Sequence, residues 1–162
     1  MSTMTATSSK VLPIPKGYHT LTPALIVKDG NAALDFYKKA FGAEETSCMR
    51  SPTGGVMHAE LQIGDSKFMV SGEWPDYGCK APLPNHISSS LYMYVGDVDR
   101  AVQRAVDAGC TVRMPPANMF WGDRFAKVLD PFGHEWGLAT HVEDVSPEEC
   151  ARRAAAWKPC SG

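Results

Sequence analysis

The tripeptide Val27-Lys28-Asp29 has a counterpart in Val95-Gly96-Asp97, 68 residues further on, and Ala33 and Ala101 keep the same step. A repeat of that length constrains the fold more than any composition does. Each copy is one supersecondary unit, whose apolar face has to be buried against a neighbour. In the first copy a strand is expected over 21–27. Asp29-Gly30-Asn31 breaks it and offers a helix cap. Ala33, Phe36, Tyr37, Ala40 and Phe41 then recur at i, i+3, i+4, i+7 and i+8, an amphipathic helix stopped by Gly42. Strands follow over 45–50, 56–63 and 67–71. The second copy offers a strand over 91–95, cap chemistry at Asp97 and Asp99, and a helical stripe of Val98, Ala101, Val102, Ala105 and Val106 ended by Gly109. Its remaining strands are expected over 111–114, halted by Pro115-Pro116, then 124–129 and 137–142. Both copies therefore read βαβββ.

The last two strands join at Asp130-Pro131-Phe132-Gly133. Pro131 fixes φ, Gly133 can take positive φ, and Asp130 can accept from the following backbone. Residues 61–70 repeat that plan around Gly64-Asp65. Ser146-Pro147-Glu148-Glu149 is a capping box with Pro at the first helical position, opening a helix through about Trp157. The chain divides into a flexible tail over 1–17, a single domain over 18–145 and a C-terminal helix over 146–158. Within the domain, module one covers 18–73, a Pro- and Gly-rich loop 74–87, and module two 88–145.

Composition limits the function. A formal charge of −2 leaves no basic footprint for nucleic acid and no polybasic membrane patch. No apolar run approaches the roughly 20 residues that span a bilayer. Five cysteines, an odd number without a CxxC pair, argue against a disulfide framework and a thiolate zinc site. Free thiols fit a reducing cytoplasm. The first ten residues lack the apolar core of a secretory signal, so a disordered tail is expected there.

A βαβββ unit used twice resembles the vicinal oxygen chelate superfamily of glyoxalases, extradiol dioxygenases and bleomycin- and fosfomycin-resistance proteins, and within it the PhnB-like branch. The resemblance is carried by Thr22-Pro23-Ala24-Leu25-Ile26-Val27, by Ala33 to Ala43, by His58-Ala59-Glu60-Leu61-Gln62-Ile63-Gly64-Asp65-Ser66, by Trp121-Gly122-Asp123-Arg124, and by Asp130-Pro131-Phe132-Gly133-His134-Glu135-Trp136 running on to Val145. It implies an α+β fold, a glyoxalase/bleomycin-resistance-like pair of modules whose sheets curl around a ligand cleft. It also implies a small-molecule ligand and a homodimer that in some members completes the cleft between chains.

In metal-using relatives, positions on the first and fourth strands of each module supply His or Glu. Here these positions fall near Thr22, Met69, Ser90 and Gly137, none of them a good ligand for a divalent ion. No metal or other cofactor is expected, although a divalent ion built from displaced ligands stays open. In strand 56–63, Met57, Ala59, Leu61 and Ile63 share one side, and His58, Glu60 and Gln62 the other. If the first set packs on the helix, His58, Glu60 and Gln62 face the cleft, Gln62 as a ligand contact and His58 and Glu60 as candidates for proton transfer; a solvated polar face is the plainer alternative. Asp123 and Arg124 can anchor a polar ligand, with Trp121 over an apolar group, or form a strand-opening ion pair. Tyr92 and Tyr94 share parity with Ser90 and are expected in the cleft. Trp136 is assigned either to the cleft or to the core, and His134 to the turn.

The reading is a cytoplasmic protein that binds, and in one version transforms, a small organic molecule without the usual metal. The alternative is a metal-dependent lyase or isomerase of glyoxalase type.

Overall fold

A computed structural model describes residues 11–158. The tail expected over 1–17 lies outside the described residues as far as position 10. Module one contains β1 (Ala24–Ile26), α1 (Gly30–Phe41), β2 (Glu44–Arg50), β3 (Val56–Ile63) and β4 (Ser66–Ser71). Module two contains β5 (Ser90–Tyr94), α2 (Val98–Ala108), β6 (Thr111–Asn118), β7 (Asp123–Leu129) and β8 (Glu135–His141). A final helix, α3, spans Pro147–Ala156. The two sheets have the same order, β1-β4-β3-β2 and β5-β8-β7-β6. In each, the first strand runs parallel to the fourth and the other pairs are antiparallel.

The repeat extends to the helix caps. Asp29 accepts from Ala32 N at 3.0 Å and Asp97 from Arg100 N at 3.1 Å, each satisfying a free donor of the first turn. Alternation on the strands then sorts side chains by face. Ala59, Leu61, Phe68 and Val70 turn toward α1, and Ala126, Val128, Trp136 and Leu138 turn the same way in module two. These residues make one core with Phe36, Tyr37 and Phe41, so each sheet hides one face and leaves the other open. The sheets do not close on each other, and among the described residues no strand of one meets a strand of the other.

The hairpin turn fastens the modules together. Asp130, 3% exposed, accepts from Phe132 N and His134 N at 2.9 Å, from Trp136 Nε1 at 3.0 Å, and from the Tyr37 hydroxyl at 2.7 Å across the modules. Every lone pair that burial would otherwise strand has a donor. His134 Nε2 meets the Ile26 carbonyl at 2.9 Å, so this histidine ties the turn to module one.

Most boundaries lie within two residues of the sequence reading, and two differ by more. The first strand begins at Ala24 rather than 21, because Pro23 has no N–H for a ladder and Leu21 points into solvent. β6 does not stop at Pro115-Pro116 but runs through both to Asn118. It is an edge strand, and its register with β7 shifts between Met114 and Ala117. At an edge with an irregularity, two missing donors break no essential ladder bond.

Candidate functional site

The open face of module two is built around Asp123, the first residue of β7 and only 2% exposed. Gly122 turns the chain into it at φ 103°, and a Cβ there would run into the Glu143 carbonyl, so only glycine serves. Four donors converge on the carboxylate. Oδ2 accepts from the Tyr92 hydroxyl at 2.8 Å, the Tyr94 hydroxyl at 3.1 Å and Trp121 Nε1 at 3.0 Å. Oδ1 lies 2.9 Å from His141 Nδ1. Burial pushes the Asp123 carboxyl up. The bonds from His141, Tyr92, Tyr94 and Trp121 outweigh that effect and hold it below its ordinary value. The tyrosines move the opposite way. Burial and the bond to Asp123 raise Tyr92, and the same bond followed by burial raises Tyr94.

His141 has a second partner, Asp144 Oδ1, 2.8 Å from Nε2. With a carboxylate at each nitrogen, only the imidazolium can donate to both. The bonds to Asp144 and then to Asp123 accordingly raise its pKa above the ordinary value.

Aromatic rings pave the rest of this face. Tyr92 stacks on Phe125 with centroids 5.1 Å apart and planes 7° off parallel. Tyr94 lies 5.3 Å from Tyr92, and Trp121 lies 5.8 Å from Phe125. Gly137, opposite Tyr92 in the register, makes the stack possible. A Cβ at Gly137 would sit 2.8 Å from the Phe125 ring and 3.2 Å from the Tyr92 ring. Tyr92 and Tyr94 remain 46% and 63% exposed, so the paving is open to a ligand.

The structure thus brings Tyr92, Tyr94, Trp121 and Asp123 together. Arg124 stands elsewhere. Adjacent strand residues face opposite sides, and its guanidinium grips Asp99 of α2 at 2.6 and 2.8 Å. No Asp123–Arg124 ion pair forms. Trp136 is 2% exposed in the core, 4.5 Å from the Phe41 ring, instead of in the cleft. His58, Glu60 and Gln62 do lie opposite the core residues Ala59 and Leu61, but on the open face of module one. His58 Nε2 and Glu60 Oε1 are 3.7 Å apart, an ion-pair distance without a hydrogen bond, and Gln62 turns to the Gly64 carbonyl. Tyr18 lies over this face, its ring 4.6 Å from Lys67 Nζ. Burial first, then the neighbouring Glu60 carboxylate, pushes its hydroxyl up to about 12, and among the described residues that buried hydroxyl has no hydrogen-bond partner.

The sequence reading missed His141 and Asp144. A signal existed: once Leu129 pairs with Glu135 across the turn, counting outward along both strands brings Asp123 opposite His141.

The residues at the superfamily's metal positions do not fit a divalent ion. The register sets Met69 against Ala24 and Gly137 against Tyr92, and Ser90 faces Glu135, whose carboxylate is paired with Lys127 at 3.3 Å. At Gly137 the volume an imidazole or carboxylate needs is filled by two rings. Among the described residues no group of three or more His, Cys, Asp or Glu side chains is placed to share an ion.

A doubled βαβββ unit with one open sheet face per module defines a class of protein, and comparison with known proteins agrees with it. Residues 18–138 match the Glyoxalase/Bleomycin resistance protein/Dioxygenase superfamily, and the chain belongs to it. An uncharacterised protein of Mycobacterium bovis is 38% identical over 133 residues, 80% of this chain and 88% of that one. The X-ray structure of an Arabidopsis thaliana gene product is 30% identical, with a TM-score of 0.55 over 75% of this chain and 98% of its own. TioX from Micromonospora sp. ML1 superposes with a TM-score of 0.62 at 25% identity, over 75% and 98% of the two chains.

Proposed function

We propose that this chain holds a small organic molecule on the open face of module two, without the superfamily's usual metal. One observation carries the reading: a buried carboxylate, Asp123, is saturated by four donors that hold Tyr92, Tyr94 and Trp121 in fixed positions on an exposed aromatic surface. A surface locked in this way is preorganised, so little ordering cost falls on binding. His58 and Glu60 are a secondary candidate for proton transfer on module one's face, which Tyr18 partly covers.

We further propose a homodimer in which a second copy closes each open face into a cleft. The open sheets and the exposed tyrosines support it. The motifs around 33–43 and 130–136 support the PhnB-like branch. Free Cys48, Cys79, Cys110 and Cys150 support a reducing, cytoplasmic setting.

A thermal-shift screen of uncharged and anionic aromatics tests the site. A compound that raises the melting temperature of the wild type should lose most of that shift in Tyr94→Ala, whose side chain is largely exposed. An unchanged shift would put the ligand elsewhere.

A further inference from the structure

We infer that the module-two face is built for a planar aromatic carboxylate, with His141 receiving the carboxylate and Asp144 holding its place when no ligand is bound. This rests on the ligand site proposed above and names its chemical class. His141 shares Asp123 with Tyr92, Tyr94 and Trp121, so its ring stands at the border of the aromatic surface. Nδ1 is tied to a buried carboxylate and Nε2 to an exposed one. The two partners differ sharply: the Asp123 side chain is 3% exposed, while that of Asp144 is fully in water. Asp123 fixes the ring. Asp144 touches nothing else among the hydrogen bonds of the described residues, and an exposed pair of that kind contributes little. A ligand carboxylate can therefore replace Asp144 on Nε2 at small cost, while its ring lies against Tyr92 and Tyr94.

The groups around His141 agree with a single cationic receptor. Asp123 faces it from β7, Tyr92 and Tyr94 reach the same carboxylate from β5, and Asp144 faces it from the segment after β8. The nearby Arg153 of α3 is already held by Glu143 at 2.7 Å and Glu149 at 2.8 Å. It is not free to take the ligand's charge.

Calorimetric titration with 2-naphthoate and with its uncharged counterpart 2-naphthamide tests the inference. The naphthoate should bind about tenfold more tightly than the amide, the scale of one hydrogen bond to a charged group. His141→Gln keeps a donor for Asp123 and should erase that preference. Asp144→Ala should strengthen naphthoate binding and leave the amide unchanged. Equal affinities in the wild type, or weaker naphthoate binding in Asp144→Ala, would overturn the carboxylate role and spare the aromatic site. Binding of neither probe would overturn both.

Discussion

Asp123 shows how one buried charge organises its neighbours. An isolated carboxylate in that position would be driven toward its neutral form. Three neutral donors and an imidazolium keep it ionised, and the two tyrosines lose acidity in return. The same bonds make stability depend on pH through His141. Its folded pKa is raised above the ordinary 6.5, so the stabilisation is complete below about pH 6.5 and fades as pH rises through the folded value. Urea unfolding midpoints of wild type and His141→Gln should therefore lie furthest apart between about pH 4 and 6.5 and converge toward alkaline pH. A gap that widens with pH would contradict the imidazolium. At this scale the sequence was half legible. Tyr92, Tyr94, Trp121 and Asp123 were readable as polar aromatics and turn residues. Their convergence on one carboxylate was not, because Tyr92 and Asp123 are 31 residues apart and meet only through sheet order. Arg124, open between a ligand anchor and an ion pair, and Trp136, open between cleft and core, are both separated from Asp123 by strand parity, Arg124 pairing with Asp99 and Trp136 packing on Phe41.

Among the elements, α1 carries the most weight. Its Phe36, 6% exposed, touches Tyr37, Phe41 and Phe132 at centroid distances of 5.5 to 6.1 Å, so a helix of module one is packed on the turn of module two. Phe36→Ala should cost about 3–5 kcal/mol as a core cavity, read from the denaturation midpoint. A loss below about 1 kcal/mol would mean that the site collapses around the deletion. The periodicity that identified this helix is a local signal, which is why its stop at Gly42 was readable. The path of β6 through two prolines was not, because whether a missing N–H matters depends on which strand lies at the sheet edge.

Across the whole molecule, the two modules share a core on their helix sides and turn their other faces outward. The repeat made this duplication legible, whereas the orientation of one module against the other was set by contacts such as Tyr37 with Asp130 that no spacing announces. The proposed homodimer predicts a mass in light scattering of twice the 17.6 kDa of one chain. A single-chain mass would leave each face exposed to solvent and count against a cleft closed between copies.

The prolines of β6 bear on how copies can meet. A bare sheet edge offers a row of backbone donors and acceptors to any passing strand, the usual start of uncontrolled aggregation. Pro115 and Pro116, being adjacent, take one donor from that row and one from the side facing β7, and the register shifts around them interrupt the regular ladder. Strand-on-strand growth is poorly supported at this edge, so association is steered toward the faces, where the aromatic residues and Asp123 lie.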